Sequence, residues 1–302
     1  MFANFKNNFS LNCMKNIMFI LVFLFYINCD LFFRSNKQDF VKTPNSIEAK
    51  NQDEIQDRKN TIILTTLDWQ PYIGQDLPNY GYVYQIVKKI YEKMGYKVVI
   101  KFYPWARTMQ LAASGEIDGY FPEYYNEDLK KDFYFSDPFP GGPAGFYGRK
   151  DINYKFKTQY DMKDFHALTS YRIGIVRGYT NTKYFDSANY LQKEETTDDL
   201  SNLKKLYYNR VQLIFIDPNV ANYLIRTYLI KQYPNFFEKT YFITPELEYK
   251  FLYVCISRKS PYAQKKLQDF NAGLKELKQT GELNKLLREN HFNEKGIWNP
   301  SL

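Results

Sequence analysis

The chain has 302 residues, 44% hydrophobic and 25% charged, with 14 Gly and 13 Pro, which is enough apolar content for one large core or two modest ones and too much for a disordered chain. Three Cys and two His exclude a disulfide scaffold or a Cys/His zinc module, and no metal or other cofactor is expected. The net charge of +8 is mild, and its lysines mix with acids (Lys130, Lys131, Asp132; Lys275, Glu276), so it reads as solvated helix faces and argues against a nucleic-acid partner. The 28 Tyr and 25 Phe suit both core packing and the lining of a pocket for a polar ligand.

Near the N-terminus, Met14 and Lys15 precede an unbroken apolar run from Ile17 to Ile27, followed by Asn28, Cys29 and Asp30. The run falls short of the ~20 residues a membrane span needs but suits the apolar core of a signal peptide, so residues 1–28 are expected to be a leader, with Met14 a possible true start. A Cys directly after such a run resembles a bacterial lipobox, which implies that Cys29 is lipidated and becomes the mature N-terminus. Tyr26, Ile27 and Asn28 depart from the usual small residues there, and ordinary secretion or a retained anchor is the alternative. Either way the body is expected outside the cytoplasm. Loss of Lys6 and Lys15 with the leader takes the charge from +8 to +6. Residues 29–60, rich in Lys, Asp, Glu, Asn and Gln and lacking an apolar period, read as a flexible tether.

From Thr61 onward strands and helices alternate. Ile62–Thr66 reads as a strand, Val83, Ile86, Val87, Ile90 and Met94 as one helix face ended by Gly95, and Val98–Tyr103 as a second strand. Trp105–Ser114 reads as a helix closed by Gly115, and Ile117–Phe121 as a third strand. This βαβαβ order predicts a parallel sheet with helices on both faces. A second unit follows: strand Arg172–Val176, a turn at Gly178–Thr180, a helix marked by Leu200, Leu203 and Leu206, and strand Val211–Ile216. Asp217 and Pro218 then open a helix by an N-cap and N1-proline signal. Phe251–Ile256 is a further strand, and Ser260 with Pro261 repeats the start signal before the amphipathic stretch carrying Leu267, Phe270, Leu274, Leu277, Leu283 and Leu286. Two α/β lobes are expected, with the Pro- and Gly-rich segment Ser136–Gly148 as the crossover between them.

Seven pieces in order then carry a resemblance. They are Trp69, Pro71 and Tyr72 with Gly81; Tyr103-Pro104-Trp105-Ala106-Arg107; Ser114-Gly115-Glu116-Ile117-Asp118; and Phe135-Ser136-Asp137-Pro138. Gly174-Ile175-Val176-Arg177-Gly178-Tyr179-Thr180, Phe215-Ile216-Asp217 and Thr280-Gly281-Glu282-Leu283-Asn284-Lys285-Leu286 complete the set. In this order, from about Thr61 to Asn290, the chain resembles the bacterial extracellular solute-binding proteins of family 3, the polar amino-acid receptors of ABC importers. The resemblance implies a two-lobed α/β fold of the type II periplasmic-binding-protein kind, each lobe a mainly parallel sheet flanked by helices, joined by two hinge strands. It places residues 61–146 plus 245–292 in lobe 1, 147–244 in lobe 2 and 293–302 in a C-terminal tail. It further implies a non-enzymatic, monomeric receptor whose partners are a small polar ligand, an ABC importer permease and, through the lipid alone, the membrane.

By the same resemblance, Asp217 matches the acid that receives a ligand's ammonium group, although Pro218 behind it equally marks a helix cap. Trp69 and Trp105 fall where the family stacks aromatics on the ligand, or else are two core rings, and Tyr72 of the same aromatic-proline turn is expected as a further ligand contact. Tyr179 and Thr180 sit in a turn whose backbone N–H groups can hold a carboxylate, or form an ordinary turn. The family's carboxylate-clamping arginine aligns here with Leu129 or Lys130, and Pro122, Glu123, Tyr124 and Tyr125 replace its Ser/Thr contacts. Arg107, otherwise a helix-face ion pair, or Lys130 is the available substitute. Glu123 and Asp217 would make the cleft acidic, and with two Trp rings this predicts a cationic, amine-bearing ligand that need not carry an α-carboxylate. Two other functions fit the fold: a dehydratase-like enzyme using Glu123 and Asp217 as acid and base, and a sensing lobe, which the end of the chain at Leu302 argues against.

Overall fold

The computed structural model describes residues 58–301. The expected leader, Cys29 and most of the expected tether lie outside them. Among the described residues no helix is long and apolar enough to cross a membrane.

The first lobe begins with β1 (Thr61–Thr66), whose Ile62 and Leu64 are fully buried. Helix α1 (Tyr82–Lys93) turns Val83, Ile86, Val87 and Ile90 inward, the i, i+3, i+4, i+7 spacing that makes one apolar face, and ends where Gly95 takes φ 84°. Strand β2 (Lys97–Phe102), helix α2 (Trp105–Ser114) and strand β3 (Gly119–Tyr124) complete a parallel set in which β1 lies between β2 and β3. Two further strands, β4 (Phe133–Phe135) and β10 (Glu248–Ser257), close this sheet antiparallel, with β10 paired to both β3 and β4.

Strand β5 (Phe139–Arg149) occupies the segment expected as the crossover between lobes. Its first half pairs antiparallel with β10 and its second half with β8 (Leu213–Ile216), so β5 and β10 together carry the chain between lobes. The many glycines that make this segment look like a loop serve close approach instead. A Cβ on Gly142 would sit 2.0 Å from the Tyr72 hydroxyl and 2.5 Å from an Asp217 oxygen.

The second lobe sets β6 (Arg172–Val176) parallel between β8 and β7 (Gln192–Thr196), with β9 (Thr240–Phe242) against β5. Around them lie α3 (Lys183–Ser187), α4 (Asp199–Tyr207), α5 (Pro218–Leu224) and α6 (Phe236–Lys239). Phe146, Phe165, Phe185 and Phe215 form an aromatic core, with Phe185 and Phe215 stacked at 5.2 Å. Strand β7 reads QKEET, too polar for a strand signal, and only its parallel ladder to β6 reveals it. The ten strands follow one order, β2-β1-β3-β10-β5-β8-β6-β7, with β4 and β9 at the side. This is the two-lobed type II fold with two connecting strands, each lobe's sheet parallel except for the strands that link or edge it.

Helices α7 (Ala263–Gln279) and α8 (Glu282–Glu289) return to pack on α1. The amphipathic stretch is one helical pattern in sequence but two helices in space, broken where Gly281 adopts φ 74°. Ser260 and Pro261 do not start α7, which begins at Ala263 behind Tyr262 at φ 58°. The Ser260 hydroxyl instead donates to Asp118 Oδ1 at 2.6 Å, and Lys266 of α7 donates to the same oxygen at 2.8 Å. Asp118 Oδ2 accepts from the Ile63 backbone N–H at 2.7 Å. A buried ion pair thus ties β1, the start of β3 and α7 together.

Candidate functional site

The cleft side chains come from the ends of strands, where each lobe's backbone turns toward the other. After β1 the chain folds back on itself, Trp69 and Ile73 exchanging backbone hydrogen bonds of 2.8 and 3.2 Å, so that the Trp69 ring stacks on Tyr72 at 4.5 Å. Trp105 opens α2 behind Pro104 and meets Tyr120 and Tyr179 edge-on at 5.4 and 6.0 Å. Its indole N–H donates to the Gly178 carbonyl of the second lobe at 2.9 Å. Gly178 takes φ 78°, which turns the chain after β6 and brings Tyr179 and Thr180 to the cleft.

Trp69, Trp105, Glu123, Tyr124, Tyr179 and Thr180 surround a cavity of about 30 Å³, room for a water or two. A second cavity, about 210 Å³, shares the Trp69 and Tyr179 walls and is bounded by Asp68, Asp198, Asp199 and Tyr228. The Tyr124 hydroxyl is buried with no hydrogen-bond partner.

Three carboxyls near these cavities are buried: Glu123 at 3%, Asp217 at 4% and Asp199 at 5% exposure. Burial pushes Glu123 up to about 7, opposed by hydrogen bonds from Tyr120, the Tyr124 N–H and Thr180 and by the charge of Lys250. The Tyr120 hydroxyl donates to it at 3.0 Å and the Tyr124 N–H at 2.8 Å. Asp199, at the first turn of α4, is also raised by burial to about 7, with the Asp198 and Asp217 charges adding to the rise and hydrogen bonds from Tyr179 and Trp69 opposing it. Asp217 rises to about 7 for the same first cause, opposed by Tyr72 and by the N–H groups of Asn219 and Val220. Carboxyls held out of water in this way gain most from a cation that replaces the lost hydration.

Asp217 does cap α5, its Oδ1 accepting from the Asn219 N–H at 2.6 Å. Its Oδ2 accepts the Tyr72 hydroxyl at 2.7 Å, across from the other lobe. Asp217 and Tyr72 therefore bond to each other and line neither cavity, whereas Trp69, Trp105, Glu123, Tyr179 and Thr180 come together around the smaller one. Arg107 is exposed, its guanidinium 4.7 Å over the Tyr103 ring, and Lys130 is exposed and paired with Glu127 at 3.1 Å. Neither cation reaches the cavities.

Sequence reasoning passed over Asp199 and Lys250, and named Tyr124 only among the residues that replace the Ser/Thr contacts. Asp198 caps α4 through the Ser201 N–H at 2.7 Å, which leaves Asp199 to face inward. Lys250 lies on β10, its Nζ 2.9 Å from Glu248, bonded to the Asn181 carbonyl and 5.3 Å over the Tyr124 ring. A buried lysine in a hydrophobic strand had no distinguishing sequence signal.

A family model described as bacterial extracellular solute-binding proteins, family 3, matches residues 62–294. No curated protein matches the chain. Among solved structures, a mutant of ArgBP from T. maritima aligns with TM-score 0.62 and 17% identity, covering 78% of this chain and 97% of that one. The GluR0 ligand-binding core from Nostoc punctiforme, in complex with (L)-glutamate, gives 0.60 and 14%, covering 76% and 98%. A histidine kinase sensor domain with similarity to periplasmic binding proteins gives 0.64 and 18%, covering 81% and 100%. At such identities these likenesses show a shared fold.

Proposed function

Because the chain belongs to the bacterial extracellular solute-binding proteins, family 3, we propose that it captures a small amine-bearing solute between its lobes outside the cytoplasm, without altering it chemically. It then delivers the solute to an ABC importer while held at the membrane through Cys29. Trp69, Trp105, Glu123, Tyr179 and Thr180 are the contacts nearest the ligand, with Asp199 added and with Tyr72 and Asp217 joining the two lobes behind them.

One observation carries the chemical class. Glu123 and Asp199 are buried beside aromatic walls, and the ammonium whose charge reaches Glu123, Lys250, is already engaged by Glu248 and Asn181. An incoming cation finds carboxylates and ring faces, and no free basic group lining either cavity stands ready for a ligand carboxylate. The cavity at Glu123, about 30 Å³, is too small for a solute, so the lobes must part for a ligand to reach it, the hinge behaviour that two connecting strands permit. An acid–base pair made of Glu123 and Asp217 lacks a shared cavity in which a substrate would sit, which favours binding over catalysis.

Calorimetric titration with amines, cationic and neutral amino acids, and dicarboxylates tests the reading. Saturable binding of amines, with micromolar affinity equivalent to about 8 kcal/mol, is expected. Tight binding of a dicarboxylate or neutral solute, with none for any amine, contradicts it. A sensing role is the second reading, favoured by the full-length alignment of the histidine kinase sensor domain. Amine uptake by cells that fails when this protein is removed supports delivery, and unchanged uptake with altered transcription supports sensing.

A further inference from the structure

The segment after α8 crosses from one lobe to the other. Phe292 is fully buried in the first lobe, 5.1 Å from the Tyr72 ring and 4.8 Å from Tyr82. Asn293 then closes a turn, its Oδ1 accepting the Lys295 and Ile297 N–H groups at 2.9 and 3.0 Å. Gly296 sits at φ 68° so close to the hinge strand that a Cβ there would lie 2.1 Å from the Gly141 carbonyl. The Tyr249 hydroxyl of β10 lies 3.0 Å from the Lys295 carbonyl and 3.2 Å from that of Gly141.

On the second lobe, the Asn219 amide receives this segment with every polar hydrogen in use. Its Nδ2 donates to the Gly296 carbonyl at 2.9 Å and to the Tyr72 hydroxyl at 2.7 Å, and its Oδ1 accepts the Trp298 N–H at 3.0 Å. The Trp298 ring meets Tyr223 of α5 at 5.4 Å. One short stretch thus touches the first lobe, both connecting strands and the second lobe, and shares Asn219 with the Tyr72–Asp217 contact. The family match ends at residue 294, so Lys295 to Trp298 lie beyond what the family supplies.

We propose that residues 295–298 are a strap that holds the two lobes closed, and that Asn219 is its anchor. Tyr72 and Asn219 stand on different lobes, so opening the cleft separates them and pulls the strap from one side or the other. By favouring the closed arrangement before any ligand arrives, the strap raises the fraction of binding-competent molecules and with it the apparent affinity.

Small-angle scattering on the ligand-free protein, paired with hydrogen exchange of the Gly141, Gly142 and Ala144 amides, tests this in the full chain, in a chain ending at Glu294, and in Trp298→Ala and Asn219→Asp. The shortened chain and both substitutions are expected to give a larger radius of gyration, with about tenfold or faster exchange in the shortened chain and in Asn219→Asp, the size that losing two hydrogen bonds implies, and a smaller rise in Trp298→Ala, which loses the ring contact with Tyr223 and keeps the backbone N–H. Should the shortened chain fail to fold, the two point variants decide. A folded variant with an unchanged radius and unchanged exchange overturns the strap, as does a lowered melting temperature alone. Because no ligand is added, this result is independent of whether amines bind.

Discussion

Glu123 is the acid on β3 of the proposed site, where it would repel a carboxylate ligand and attract a cation. Glu123→Gln keeps the size of the side chain and one acceptor oxygen for the Tyr124 N–H while removing the charge, the Tyr120 hydroxyl being free to turn and accept from the new amide, so the loss of charge is the main change. Amine affinity is expected to fall roughly 10- to 100-fold, the 1.5 to 3 kcal/mol of a charge-assisted hydrogen bond, with the fold intact. Equal affinity in a folded variant removes Glu123 from the site. The sign of the pH dependence follows from the raised pKa of about 7. The carboxyl is protonated and neutral below that value, a cation prefers the ionised form, and so amine affinity is expected to rise from pH 5 to pH 8 and level off above. Glu123→Gln should flatten part of that rise, leaving the share due to Asp199. At this scale the sequence showed the aromatic walls and Glu123 because residue types alone mark them. It did not show that Asp217 turns its second oxygen to Tyr72, since a partner 145 positions away leaves no local trace.

Among the elements, the buried Asp118–Lys266 pair is the clearest case of one contact holding several segments. Both side chains are fully buried, and burial pulls the lysine down while Asp118 holds it up. Asp118→Ala would strand the Lys266 ammonium in the core and release the Ile63 N–H and the Ser260 hydroxyl. Removing one partner of a buried pair costs about 3 to 5 kcal/mol, so urea denaturation should show a midpoint shifted far down. A shift under about 1 kcal/mol would show that the core re-partners the lysine. The same pair explains the misplaced start of α7: Ser260 has the composition of a cap, but a buried carboxylate competes for its hydroxyl and wins. Helix α1 and helix α2 were legible because their apolar spacing and their closing glycines are local. Strands β5 and β7 were not, because β5 hides behind glycines required by neighbouring side chains and β7 behind charged residues on an outer edge.

For the whole molecule, the order of motifs revealed two lobes, while the joint between them emerged only in three dimensions. Contacts across the joint include the hydrogen bonds of Trp105 to Gly178, Tyr72 to Asp217, Asn219 to Tyr72 and Gly296, and Trp298 to Asn219, with ring contacts of Trp105 on Tyr179 and Trp298 on Tyr223. A handful of hydrogen bonds, each contributing roughly 1 kcal/mol, gives open and closed forms within a few kcal/mol of each other, which a ligand of micromolar affinity can shift. Scattering during an amine titration should therefore show a radius that falls and saturates with binding, and most clearly in the chain ending at Glu294. The measurement closest to the central claim counts protons. Calorimetry of one amine near pH 6.5, in two buffers of different ionisation enthalpy, reports how many protons leave as the cation enters. If buried Glu123 and Asp199 receive it, net release is predicted, because each carboxyl must ionise to pair with the charge. Saturable binding with no proton released, or with protons taken up, would contradict the account.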